Sequence, residues 1–443
     1  MGQLSKPKKV AYSAGGLALN FANLLISQWL LRLYSPDKEG ALVPPILFSL
    51  VFLAGRVVDG LTEPLVGYAS DRLRSRHGKR KPFIALALLP TAFVSCLMWM
   101  PPRPDGPHWQ NAVYIAVLVQ LFFIFWSCLA NPYMSLLPQL TSDKAERVDI
   151  STLQALFLMV GTVLSAGIGN IKAAWGWAGL GYTVFAVTII AFLPTLFFVK
   201  DPSARLKGEE GGPEPASLAD DPLTGKGMAA WVAAAFRNPP FVILLSSTAL
   251  FWFALNIIIL LVPFWVQYVA LKGDEQVILA MIPYIAANVA GFPLFNWAAK
   301  RWGKKPVFLA GTAASALVLL SLLLVGRIGV EPFLATQIAM GLFGFATSGF
   351  LMLPNALLAD VVDYDAARTG RRREAIHFGV QAFFQKLAIG ASIVVSSALM
   401  YAGGSRRPTV FGLKLVATAA GAAALLAALV FILYPLRDRD RKD

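Results

Sequence analysis

Histidine and cysteine are scarce in this chain, with three of the first and two of the second in 443 residues. Cys96 and Cys128 both sit inside apolar runs, and His77, His108 and His377 fall at loops or at the ends of such runs. A disulfide framework and a Cys/His metal cluster are therefore excluded. Charge is scarce too. Asp, Glu, Lys and Arg make up 14% of the residues, against roughly 25% in ordinary soluble domains. That excludes a disordered chain, a coiled coil and a nucleic-acid-binding domain, although 39 basic against 25 acidic side chains leave a net charge of +14. No HExxH, Walker A or GxSxG pattern occurs, so no enzyme of those kinds is expected. The N-terminal MGQLSKPKKV lacks a small-residue cleavage site, and no removable signal peptide is expected.

What is present is apolar sequence, 57% of the chain, in runs of the ~20 residues that cross a bilayer. Twelve spans are expected, at about 11–33, 43–69, 83–101, 110–137, 150–171, 179–199, 240–268, 276–298, 306–325, 332–356, 375–402 and 409–435. The fold class is an all-α polytopic membrane protein. One long polar stretch, rich in Gly, Pro and acidic residues, divides the spans six and six. The expected domains are a six-helix bundle over 1–199, a cytoplasmic linker over 200–239 and a second bundle over 240–443, ending in a short basic tail. With the N-terminus inside, 28 of the 39 basic residues fall on the cytoplasmic side, seven outside, and Arg32, Arg56, Lys386 and Lys414 within spans. The positive excess is therefore mostly topology. It places both termini in the cytoplasm and the protein in the inner membrane, with the bilayer as its partner and no nucleic acid.

The two halves echo each other. DRLRSRHGKRKP (71–82) follows the second span and KRWGKKP (300–306) the eighth, while NPYMSLLPQLTSD (131–143) ends the fourth and LPNALLADVVD (353–363) the tenth. Both pairs are offset by about 222–225 residues. Parallel six-span repeats with a solute site between them near the midplane are a transporter arrangement of the major facilitator type. Similar basic loops also recur through the positive-inside bias alone.

A charge at bilayer depth costs about 2.5–3.5 kcal/mol on insertion scales, so each one needs an account. In GRVVDGLTEPLVGYASDR (55–72), Arg56, Asp59, Glu63 and Gly67 are spaced along one helical face. Pro64 cannot donate to the carbonyl of Gly60, which leaves an oxygen free near both carboxylates. Asp59 and Glu63 thus suit a Na⁺ ion or one shared proton. They equally suit simple pairing with Arg56 and Lys386, which lies mid-span. Lys414 and Arg32 are close enough to span ends to snorkel. Asn23, Trp126, Tyr133, Asn256, Trp265, Gln381 and Gln385 are candidates to line a solute cavity, helix–helix hydrogen bonding being the alternative for each. No loop is large enough for a nucleotide-binding domain, so transport would draw on an ion gradient or on the solute's own.

Asp59, Glu63, Pro64, Gly67, Asp71 and Arg72, followed by Gly78 to Pro82, resemble the signature of the glycoside–pentoside–hexuronide:cation symporters of the major facilitator superfamily. ADVVDYDAARTGRRREA (359–375) resembles that family's loop between spans ten and eleven, and NPYMSLLPQLTSDKAER (131–147) is a third match. The resemblance implies cation binding by Asp59 and Glu63, with a hydroxyl from Ser127, and charge balance by Arg56 and Lys386. It also singles out Asn20, Asn131 and Gln154, because three charged solute-binding positions of galactoside carriers align with Asn20, with Ala130 beside Asn131, and with Ala155 beside Gln154. The fourth-helix position, shared by solute and cation in those carriers, is Ala130 here, so the resemblance implies a cation site largely kept and a galactoside site that is not. Gly67, Asp71, Arg72, Gly78, Asp360, Asp363, Arg372 and Arg373 read as cytoplasmic gate elements, whose salt bridges break and reform as the halves rock.

The expected activity is cation-coupled symport, with Na⁺ or H⁺, of a small glycoside-like solute by a monomer. Two alternatives stay open: a sodium-dependent lysophospholipid carrier of the same fold, and a non-transporting receptor or assembly factor.

Overall fold

Proline and glycine set where the helices begin, bend and stop. The structure, a computed structural model, describes residues 4–35, 40–73, 75–141, 144–201, 236–327, 329–369, 374–401 and 407–436. Their regular structure is helical: α1 (Lys6–Ser13), α2 (Gly15–Tyr34), α3 (Pro45–Arg72), α4 (Lys81–Leu97), α5 (Trp109–Leu140), α6 (Lys144–Ala166), α7 (Ile168–Phe198), α8 (Pro239–Tyr268), α9 (Val277–Trp302), α10 (Lys304–Ser321), α11 (Pro332–Met352), α12 (Pro354–Thr369), α13 (Glu374–Met400) and α14 (Val410–Ile432), with single 3₁₀ turns before α9 and after α10. Prolines occupy the first turn of α1, α3, α4, α8 and α11, where the missing N–H costs nothing. Pro64, Pro90, Pro194 and Pro263 lie inside α3, α4, α7 and α8.

Among the described residues, ten helical segments are long and apolar enough to cross a membrane, and Lys81–Leu97 and Thr152–Ala166 are shorter apolar helices. Some boundaries differ from expectation. Between the expected spans 150–171 and 179–199, α6 ends at Ala166 and α7 begins at Ile168, then breaks at Gly176, whose φ of 66° is open to glycine. The expected loop over 359–375 is helical as far as Thr369, since α12 restarts at Pro354. It buries Leu357, Leu358, Val361, Val362 and Asp365 at helical spacing. The linker expected over 200–239 lies largely outside the described residues.

The chain forms two units, Met1–Gly212 and Pro213–Asp443. In the first, α3 packs on α5, α2 on α6 and α7, and α4 on α5 and α7. Tyr12, Leu129, Tyr133, Leu136, Ile150 and Phe192 share its core. In the second, α9 packs on α11, α8 on α13 and α14, and α10 on α11 and α14.

The two in-span cations expected to lie near span ends do so, Arg32 in the last turn of α2 and Lys414 in the second turn of α14. Arg32 is only 5% exposed, with its guanidinium 5.4 Å from the Trp29 ring. Lys414 donates to the carbonyls of Leu323 and Val325 at 3.1 and 3.0 Å. Carbonyls at a helix end lack intrahelical donors, and an ammonium satisfies them.

Candidate cation site

Gly55 determines how closely α3 meets α5. A Cβ there would come within 2.6 Å of both Phe123 and Val119, so only glycine allows this approach. The next residue, Arg56, is thereby laid against aromatic faces, 4.7 Å from the Phe123 ring and 5.2 Å from that of Phe52. One Nη of Arg56 donates to Oδ1 of Asn23 at 2.9 Å and to Oγ of Ser27 at 3.2 Å, both on α2.

One turn further along both helices, Asp59 meets Ser127. Ser127 Oγ donates to Asp59 Oδ1 at 2.9 Å, and Arg56 stands 3.8 Å from Oδ2. Asp59 is 1% and Ser127 1% exposed. A further turn brings Thr62, whose hydroxyl lies 2.9 Å from Ser127 Oγ as well as 2.9 and 3.1 Å from the carbonyls of Val58 and Asp59. Thr62 was not singled out from sequence. Its place three residues after Asp59, on the same face, is the one sequence signal that could have found it.

The donor set is therefore one buried carboxylate and two hydroxyls, with Glu63, half-buried, beside Thr62 on α3. These are hard oxygen ligands, the kind that suit Na⁺ or a proton rather than a soft transition metal. Among the described residues, no three His, Cys, Asp or Glu side chains converge on one point. Lys386 belongs to the second unit, half-buried on α13.

The residues expected to meet solute divide in two. Several have their polar atoms engaged within their own unit. Asn20 donates to the carbonyl of Leu158 at 2.7 Å and to Thr162, Gln154 to the Tyr133 hydroxyl at 3.2 Å, and that hydroxyl to the carbonyl of Tyr12 at 2.6 Å. Tyr133 also stacks on Tyr12 and is fully buried. In the second unit Asn256 donates to Ser392 at 2.7 Å and Trp265 to Thr336 at 3.1 Å. By contrast, Nδ2 of Asn131 and Oε1 of Gln381 are buried without a hydrogen-bond partner. Asn23 serves Arg56, Trp126 stacks on Phe122, and Gln385 is half-buried.

Of the expected gate residues, Gly78 has a φ of 95°, Asp360 pairs with Lys304, Asp363 is exposed and Gly67 has open space around it. The side chains of Asp71 and Arg72, and Arg372 and Arg373 altogether, lie outside the described residues.

Comparison with known proteins gives a consistent assignment. The sequence profile of the family described as MFS/sugar transport protein matches residues 11–438. An isoprimeverose transporter of Lactiplantibacillus pentosus is 25% identical over 412 residues, covering 90% of this chain and 80% of its own. The sodium-dependent lysophosphatidylcholine symporter 1-B of Danio rerio is 24% identical over 489 residues, covering 99% and 89%. Among solved structures, a D-xylose–proton symporter superposes with a TM-score of 0.71 at 14% identity, over 97% of this chain and 98% of that one. At that identity the likeness shows the fold.

Proposed function

We propose that this chain, which belongs to the MFS/sugar transport protein family, is a symporter that couples entry of a glycoside-like solute to Na⁺ or H⁺ by alternating access. Its general class, a multi-pass membrane transporter and not an enzyme, follows from the family. The coupling site is the finer reading, and one observation carries it: a buried Asp59 that accepts from Ser127 while Arg56 stands only 3.8 Å away. The buried carboxylate accepts a hydroxyl hydrogen bond and has a guanidinium within reach, so a cation and Arg56 can exchange at the same group. Thr62, 2.9 Å from Ser127, and Glu63, next to it on α3, supply further oxygens. Arg56 and Lys386 balance the charge when the cation is gone.

We read the topology as twelve spans in two six-helix repeats, divided by the linker over 200–239, with a monomer in the inner membrane and both termini in the cytoplasm. The shared neighbour pattern of the units supports it. The pairs α3–α5, α2–α6, α4–α5, α4–α7 and α2–α7 recur as α9–α11, α8–α13, α10–α11, α10–α14 and α8–α14. Asn131 and Gln381, with their unpartnered polar atoms, are the first candidates for solute contact.

The test is a thermal-stability screen of purified protein against glycosides, uronides and lysolipids, with and without Na⁺ and across pH. Glycosides that stabilise more strongly with the ion support the reading. Stabilisation by lysolipids alone would replace the solute class with an amphiphile, and no response to either ion would remove the coupling site.

A further inference from the structure

The motif after α3 is held by a residue far along the chain. Asp201, three residues past the end of α7, is 3% exposed, and its Oδ2 accepts the backbone N–H of Arg80 at 2.8 Å and of Lys81 at 3.2 Å. These amides open α4, whose own cap residue, Arg80, makes no side-chain capping bond. Asp201 therefore caps α4 from just beyond the end of α7, a charge-assisted contact at the positive end of the helix dipole. Gly78 makes room for it. Its φ is 95°, and a Cβ at that position would fall on the Asp201 carboxylate.

The second unit has a join at the corresponding place with the charge reversed. Gly303, between α9 and α10, also has a φ of 95°. Lys304 pairs with Asp360 of α12. Lys305 donates to the carbonyl of Ile432 at 3.0 Å and to that of Tyr434, at and just past the end of α14. An acid meets helix N–H groups in one unit, and a base meets terminal carbonyls in the other.

We propose that Asp201 and Lys305 are clasps that make the neighbouring ends of α4 and α7, and of α10 and α14, travel as rigid bodies during transport. Both are positioning residues. Without the clasp, the start of α4 and the end of α7 shift separately; with it, each follows the other. The functional consequence rests on the transporter reading above, while the clasp itself stands on the geometry.

The experiment uses full-length protein in liposomes, with Cys96 and Cys128 replaced and spin labels at the exposed positions Arg76 and Phe198. Pulsed electron paramagnetic resonance and hydrogen exchange at the start of α4 are compared in wild type, Asp201→Asn, Asp201→Ala and Gly78→Ala. Wild type is expected to give one narrow distance distribution. Asp201→Ala should broaden it and speed exchange at the first amides of α4 by about tenfold, the factor for losing an ordinary cap. Asp201→Asn, which keeps an acceptor oxygen without the charge, should fall between, and Gly78→Ala should reproduce the defect by displacing the carboxylate. An Asp201→Ala protein with wild-type distances and exchange overturns the clasp. For whichever solute the stability screen identifies, Asp201→Ala should lower Vmax with KM and the ion midpoint unchanged, and an equal loss of solute affinity overturns the positioning role. If wild type takes up no solute under any ion gradient, the transport reading fails, and the distance and exchange measurements still decide the clasp.

Discussion

Ser127 on α5 donates a 2.9 Å hydrogen bond to Asp59 on α3, and this contact, rather than the 3.8 Å approach of Arg56, is the closer one Asp59 makes of the two. A hydroxyl bonded to a carboxylate can rotate and turn its lone pairs to an arriving cation.

Replacing Asp59 with Asn should abolish ion-driven accumulation and leave the protein inserted and folded. Arg56 keeps Asn23 and Ser27 and its two aromatic faces. The readout is the melting temperature against Na⁺. Wild type should gain about 2.7 kcal/mol at a hundred times the dissociation constant, and Asp59→Asn nothing. Gradient-driven uptake that survives in the variant would refute the site.

Ser127→Ala removes both a donor to a buried carboxylate and a potential ligand. Hydrogen bonds to charged groups contribute about 1.5–3 kcal/mol, so the ion midpoint should rise roughly ten- to hundredfold. Ser127→Thr keeps the hydroxyl and should stay close to wild type. Equal midpoints for the Ala and Thr variants would show that the hydroxyl plays no part.

Tyr133→Phe separates packing from solute contact. The Tyr133 hydroxyl donates to the Tyr12 carbonyl and receives from Gln154 in a fully buried place. Its loss should lower stability by about 1–3 kcal/mol with the solute KM unchanged. A raised KM at unchanged melting temperature would return Tyr133 to the solute site.

Glu146 predicts a pH effect away from the spans. Thr141, the N–H of Leu4 and Lys9 all bond its carboxylate, and these bonds, the Thr141 one first, hold it below its ordinary value of 4.5. A depressed folded-state value means the contact stabilises above the unfolded value and loses that stabilisation as pH falls through the folded one. Cleavage of the N-terminal segment by an acid-active protease should therefore rise below about pH 4.5 in wild type, and be higher and less pH-dependent in Glu146→Gln. Identical profiles would show that Glu146 does not anchor the segment.

Apolar run length and proline placement made most of the helices legible, and the exceptions have local causes. Gly176 breaks α7 through a left-handed φ, a backbone state open to any glycine that sequence does not announce. The stretch over 359–375 reads as a loop only by its resemblance to the family's connection between spans ten and eleven. It is nevertheless helical as far as Thr369, because alternate pairs of Leu and Val bury along one side. In the candidate site, Arg56, Asp59 and Glu63 were visible because they are charges in an apolar run, with one helical face ordering them. Thr62 passed unnoticed because a hydroxyl in a span is unremarkable until its neighbour is known.

What the sequence by itself determined is everything that depends on near neighbours along the chain: which segments are apolar enough to span, which charges are stranded in them, and that three of those charges share a face of α3. The tertiary structure alone decided which partner each side chain meets. Ser127 lies 68 positions from Asp59, Tyr133 121 from Tyr12, and Asp201 121 from Arg80. Helical periodicity gives the direction in which a side chain leaves its own helix. The depth and rotation of the facing helix, set here by close approaches such as Gly55 against Phe123, determine what it finds there.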